Sequence, residues 1–433
     1  MRPGRLNSLI ILISLFAAVN IYCGQAPQYK DSIVAKFAGF TISLEEYKTA
    51  YLDIIKQPNV YDSKELREKF LDELIATKLM AAEAKKIGLN NDTLFNYKID
   101  AYHNKCLREA HYDAVIRPLI KVEEKEIEDT YQFTQEERNL NHLFFKTKEE
   151  ADSAYNLLMT GAKFEDLALT VFTDTLLKNN GGNLGWVIWE QLDYEIADAA
   201  FKLLPDVFSK PVKSQYGYHI LKVIGFKKKP LITNWEYAVQ KEKVKYLVEF
   251  KKGQQLSYDY ISNLLKNAKV TLYPKVTSYL EKKLAEHFKR KPDPKKAGQE
   301  FQLSEEEINR VEVSLWDSKN EIVATVNGKN LTVGEFLSNL NYIPYEISYS
   351  DFGKTLDYSI RDFLITNEAV SMGLEKNDKA LMKTNMYSEY YLKLGLGRKL
   401  VAGVTVPEDE IKKYYDGHRK KFKDAKYDDC RVV

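Results

Sequence analysis

At 433 residues the chain is too long for one compact core, and two to four domains are expected. Hydrophobic residues make up 44% and charged residues 29%, the balance of a folded protein with a wet surface. A net charge of +2, with Lys and Arg interleaved among Asp and Glu, gives no global attraction to nucleic acid, so no nucleic-acid partner is expected.

Residues 1–23 read as a targeting segment. Arg2 and Arg5 precede an apolar run from Leu9 to Val19. That run is shorter than the about 20 residues of a membrane span. The mature chain is therefore expected outside the cytoplasm, in the periplasm or cell envelope. Cys23 and Gly24 follow the run where a bacterial lipoprotein carries its acylated cysteine, which would anchor the chain to a membrane. Tyr22 stands where a small residue is usual and fits plain signal cleavage instead, so both readings stay open. The other cysteines, Cys106 and Cys430, are too few for a disulfide framework.

Residues 30–135 read as a helical module led by a short strand and turn, Ile33 to Gly39. Ser43 caps the first helix, with Glu46 as its capping-box partner. Leu66, Phe70, Leu71, Leu74, Ile75 and Leu79 recur at helical spacing and give one apolar face, which Gly88 ends. A further helical stretch is interrupted near Pro118. The texture changes over 136–228. Two strand-like runs, Leu140 to Phe145 and Tyr218 to Ile224, bracket helices and a glycine-rich turn at Gly181, Gly182 and Gly185, which reads as a compact α+β unit. Residues 229–288 read as a helical extension. Residues 289–310 read as a linker, because Arg290, Pro292 and Pro294 stand in a basic stretch without apolar period.

The chain then repeats itself. Ile322 to Gly328 matches Ile33 to Gly39, and Glu335-Phe336 matches Glu46-Tyr47. Glu368, Gly373 and Leu374 match Glu83, Gly88 and Leu89. Val406, Glu410, Ile411 and Tyr415 match Val122, Glu126, Ile127 and Tyr131. Residues 321–420 are therefore a second copy of the helical module.

Several short motifs occur in order within 136–228. They are His142-Leu143-Phe144-Phe145, then Gly161-Ala162 with Phe164, Leu167 and Ala168, then Gly181-Gly182-Asn183-Leu184-Gly185-Trp186, then Ala199-Ala200-Phe201, and last Ser209, Pro211-Val212 and Tyr216-Gly217-Tyr218-His219. In this order and spacing they resemble the parvulin domain of the SurA and PrsA group of foldases. The resemblance implies a multi-domain α+β fold, with a parvulin-like α+β domain flanked by mainly α-helical modules like the N-terminal chaperone part of SurA. It implies peptidyl-prolyl cis–trans isomerase activity and chaperoning of exported or outer-membrane proteins. The partners implied are unfolded, proline-containing polypeptides.

Rotation about an X–Pro bond breaks no covalent bond, so no cofactor or metal is expected; the barrier is about 18–20 kcal/mol. The site needs an apolar pocket for the proline ring and polar groups that favour the twisted amide. By resemblance, His142 and His219 are the paired histidines of the central strands, and Asp174 is the acidic residue beside the susceptible carbonyl. Ser214 is the hydroxyl beside the second histidine, and Leu192, Ile196 and Phe201 line the substrate pocket. Ile196 stands where the family usually has Phe, which implies a looser grip on proline and weak catalysis. The plainer readings are a structural role for the histidines and a turn-forming role for Asp174. Gly181 and Gly182 lack the Lys-Ser/Thr of a phosphate loop. The spacing of His103, Cys106 and His111 scatters them around a helix, against metal binding. The alternative function is a non-catalytic holdase whose parvulin domain only binds peptides.

Overall fold

The computed structural model describes residues 32–57, 60–229, 233–288, 305–344, 347–348 and 351–419. The targeting segment 1–23, with Cys23, and residues 289–304 of the expected linker lie outside the described residues. The first module opens with the hairpin β1 (Ile33–Phe37) and β2 (Phe40–Ser43), joined through Ala38 and Gly39, both at positive φ (44° and 82°). Two such residues let a two-residue turn follow the strand twist. The helices α1 (Leu44–Ile55), α2 (Lys64–Lys86), α3 (Thr93–His111) and α4 (Glu124–Phe133) follow. Gly88, at φ 79°, ends α2 in the left-handed conformation that glycine adopts at least cost.

The α+β unit contains β3 (Glu136–Phe145), α5 (Lys148–Met159), α6 (Phe164–Val171), α7 (Thr175–Asn179), β4 (Asn183–Ile188), α8 (Tyr194–Lys202), β5 (Val212–Lys213) and β6 (Tyr218–Lys228). Next come α9 (Asn234–Asn267), β7 (Val270–Leu272), α10 (Pro274–His287) and α11 (Glu305–Leu315). The second copy supplies β8 (Ile322–Val326), β9 (Lys329–Thr332), α12 (Val333–Asn339), α13 (Phe352–Ser371), α14 (Asp378–Val401) and α15 (Glu408–His418). It follows the first copy element by element. Its hairpin turns at Asn327 and Gly328 (φ 49° and 81°), and Gly373 (φ 75°) stands where Gly88 stands in the first copy.

Two local expectations are corrected. Residues 305–310 are not linker but open α11, because Ile308, Val311 and Leu315 recur on one face and are buried. Ser43 does accept from the Glu46 N–H at 3.1 Å, but the reciprocal half of the capping box is missing. The Glu46 carboxylate is taken by Lys78, 2.7 Å away. In the second copy Thr332 and Glu335 form the complete box.

The described chain falls into two compact units. One comprises residues 104–380 and contains the antiparallel sheet β4-β3-β6-β5. Helices α5 and α6 cover one face of that sheet through Leu143, Phe145 and Ile220. Helix α8 covers the other through Leu140, Leu221 and Val223. This second core does not close at residue 228, since Val248 of α9 is fully buried within it. The same unit holds the three-stranded sheet β7-β8-β9, whose core takes in Leu280 and Leu284 of α10. The fold is α+β and multi-domain, as expected.

The other unit comprises residues up to His103 together with those from Leu381 onward. In it, α14 of the second copy packs on α2 of the first, with Leu392 and Leu396 against Ala81 and Ala84. Lys78 bridges Glu46 and Glu389 (2.9 Å), and Tyr102 stacks on Tyr387 at 3.9 Å. Within the 104–380 unit the end of α3 makes the counterpart contacts on α13. Arg108 lies 3.7 Å from Asp362 and donates to Thr366 at 3.2 Å. The copies thus trade helices. Leu392 is 1% exposed. Leu392→Ala should cost about 2–5 kcal/mol, and hydrogen exchange of the full-length protein should show lost protection in α2 of the first copy as well as in α14.

Candidate functional site

Strands β3 and β6 pair antiparallel with His142 opposite Leu221 and Phe144 opposite His219. Residues opposite one another share a sheet face, and alternate residues do too, so His142, Phe144, His219 and Leu221 lie together on the α8 side. Two glycines allow the chain to pass close to these strands. A Cβ on Gly182 (φ 75°) would stand 2.1 Å from the His142 carbonyl oxygen, where the close approach lets the His142 N–H reach the Gly182 carbonyl at 2.9 Å. A Cβ on Gly217 (φ 150°) would stand 2.3 Å from the Phe145 carbonyl oxygen.

The polar groups form a chain. The Tyr216 N–H donates to Ser214 Oγ at 3.1 Å, Ser214 Oγ lies 2.9 Å from His219 Nε2, and His219 Nδ1 lies 3.4 Å from His142 Nδ1. His142 Nε2 is buried without a hydrogen-bond partner among the described residues. The links can run in either direction: with Ser214 donating to His219 and His219 to His142, the Nε2–H of His142 is left over, and in the reverse direction the hydroxyl proton of Ser214 is left over. Burial pushes both histidines down to about 4, and His219 is further lowered by its neighbour His142. Both are therefore neutral near pH 7. Phe172 lies 5.2 Å from the His142 ring and Phe144 5.2 Å from the His219 ring.

The expected site residues are distributed unequally. His142, His219 and Ser214 are brought into one connected group. Leu192 is half-buried against the α8-side core, immediately before α8. Ile196 (6% exposed) and Phe201 (2%) lie inside that core with Trp189 and Val223, and the Arg138 guanidinium sits over the Phe201 ring at 5.4 Å. Asp174 is exposed and caps α7, accepting from the Leu177 N–H at 2.9 Å; no hydrogen bond joins it to either histidine. Phe172, two residues before it, is the part of that loop beside His142.

Sequence reasoning missed Lys251 and Tyr258 of α9, which bond to backbone carbonyls of the loops around Leu192 and Ser214. A signal was present. Lys251 continues the stripe of Val244 and Val248 at helical spacing, an inward position for a cation.

The depressed histidines set a pH dependence. Folded, they bind fewer protons than unfolded histidines with a pKa near 6.5. Their stabilising contribution is complete above about pH 6.5 and is lost as pH falls toward 4. Thermal unfolding of the full-length protein should show a melting temperature that declines across that window. His142→Gln, which cannot titrate, should flatten the decline.

Residues 136–225 match the Rotamase family model, described as the PPIC-type PPIASE domain. The chain is 31% identical over 230 residues to the foldase protein PrsA of Caldanaerobacter subterraneus, spanning 48% of this chain and 71% of that relative. It is 32% identical over 242 residues to a putative peptidyl-prolyl cis-trans isomerase of Helicobacter pylori, spanning 51% of this chain and 80% of the relative. The crystal structure of the peptidylprolyl isomerase PrsA from Bacillus anthracis aligns at 26% identity over 51% of this chain and 98% of that one, with a TM-score of 0.25. Identity at this level over more than two-thirds of such relatives, with the sheet that bears the histidine pair inside the rotamase match, means that the chain belongs to the family of PrsA-like foldases with a PpiC-type peptidyl-prolyl isomerase domain.

Proposed function

We propose that this protein catalyses cis–trans isomerisation of X–Pro bonds in unfolded polypeptides and acts as a chaperone for exported or outer-membrane proteins. The observation that carries the site assignment is the connected group of Ser214, His219 and His142, whose buried Nε2 has no partner among the described residues. A planar prolyl amide is held by resonance, with a barrier of about 18–20 kcal/mol. Twisting removes the resonance, lowers the dipole and gives the nitrogen a lone pair. Apolar surroundings disfavour the planar, more dipolar state. The neutral His142–His219 pair adds no charge to those surroundings, so the twisted, less dipolar amide is favoured over the planar one. Leu192 and Phe144 supply apolar contact for the ring, with Ile196 and Phe201 packed behind Leu192 as part of the core.

The basic and apolar N-terminal segment supports action outside the cytoplasm, and no helix among the described residues is long and apolar enough to cross a membrane. Acylation of Cys23 would tether the protein to a membrane surface. A second reading, a holdase whose rotamase domain only docks peptides, is favoured by one observation. Asp174 is committed to capping α7 rather than to the histidine pair.

The test uses full-length protein and a short proline-containing peptide, whose uncatalysed exchange takes tens of seconds or longer. The protein should accelerate exchange, and His142→Ala and His219→Ala should each reduce the acceleration about tenfold, about 1.4 kcal/mol of transition-state stabilisation. Both variants should still suppress aggregation of an unfolded client. Unchanged rates in both folded variants would remove the histidines from the site, and no acceleration by the parent protein would leave the holdase reading.

A further inference from the structure

Helix α9 lies in the segment beyond the rotamase match, yet it reaches two loops of that domain. Lys251 is 8% exposed. Its Nζ donates to the carbonyl of Glu190 at 3.0 Å and to the carbonyl of Leu192, and stands 5.1 Å above the Trp189 ring. Two helical turns further on, Tyr258 donates its hydroxyl proton to the Gln215 carbonyl at 2.5 Å. Seven residues bring both side chains to one face of the helix. Beside Tyr258, Asp259 pairs with Lys213 at 3.0 Å. The two loops are also tied to each other, since Gln215 Nε2 donates to Asp193 at 3.3 Å.

The contacted carbonyls belong to, or lie next to, two residues assigned to the site. One loop carries Leu192. The other carries Ser214, whose N–H donates to the Gly217 carbonyl at 2.8 Å and whose hydroxyl meets His219. A buried ammonium is costly unless its protons are satisfied, so at this position it is held in one geometry by the two carbonyls it bonds. Burial pushes the Lys251 ammonium down from its ordinary value, and the nearby Asp193 and Glu190 carboxylates oppose that shift. A loop carbonyl bonded to a packed helix loses most of its freedom to move.

We propose that Lys251 and Tyr258 are positioning residues of the isomerase: through them α9 fixes the spacing between the pocket loop at Leu192 and the hydroxyl loop at Ser214, and so sets the affinity for the prolyl segment. Neither touches the reacting amide. The inference rests on the assignment of Leu192 and Ser214 to the site.

The test compares full-length parent, Lys251→Met, Lys251→Arg, Tyr258→Phe and Leu192→Ala on a proline peptide, with KM and kcat read separately below the melting temperature of every variant. Lys251→Met should raise KM about tenfold with kcat changed less than twofold, and Tyr258→Phe should raise KM about threefold. Lys251→Arg, which keeps charged donors, should recover part of the loss. A merely structural role would lower the melting temperature and leave KM where it was. If Leu192→Ala raises KM while Lys251→Met and Tyr258→Phe do not, the strut is overturned and the site stands. If Leu192→Ala also leaves KM unchanged, the pocket assignment falls and the inference falls with it. Should Lys251→Met fail to fold, Tyr258→Phe, which removes a single hydroxyl, decides the matter alone.

Discussion

One extra residue in β6 governs the site. The pairing of β3 with β6 begins with Glu136 opposite Lys228 and shifts by one between Asn139 and Leu140, leaving Ile224 as the bulged residue. Had the initial register continued, His142 would stand opposite Lys222, and His219 would point to the other face of the sheet. The bulge brings both histidines to the α8 side, where they meet diagonally across the two strands. The contact between the two imidazoles and the burial that keeps the pair neutral follow from that shift.

The same face explains why the domain does not end where its strands end. A sheet face that carries polar side chains near its centre needs apolar cover around them, and α8 alone does not close it. Val248 of α9 completes the core beside Leu221 and Val223, and Lys251 satisfies carbonyls at the edge of α8. What the sequence presents as a helical extension is, over these turns, part of the wall of the rotamase domain.

Much of this was legible from residue pattern. The apolar runs Leu140 to Phe145 and Tyr218 to Ile224 specified strands, and Gly39, Gly88 and the glycines at 181, 182 and 185 marked turns. The repeat was readable because Gly39 and Gly88 have counterparts in Gly328 and Gly373 with the same left-handed backbone. What was not legible came from tertiary competition. Glu46 follows Ser43 at capping-box spacing, yet its carboxylate goes to Lys78, a contact no local rule contains. Ile196 aligned with a pocket position, but its side chain is absorbed by the core around Trp189. Asp174 was assigned to a catalytic slot by resemblance alone, and the helix N-terminus beside it claims the carboxylate. Lys251 is followed by Lys252, and only its phase relative to Val244 and Val248 marks it as the inward one.

The traded helices bear on how the chain is made. Lys78 and its partner Glu389 are 311 residues apart. At a synthesis rate of about 5–20 residues per second, α2 waits roughly 15–60 s for α14 to emerge. Through that interval Ala81 and Ala84 lack the leucines that cover them in the finished fold. The intervening rotamase domain, whose strands pair over much shorter separations, can form first. Contacts of such high sequence separation are slow to close even in a complete chain, and the delay is comparable with the uncatalysed exchange of a prolyl bond. Until α14 arrives, the first module is therefore an incomplete helical bundle with Ala81 and Ala84 uncovered.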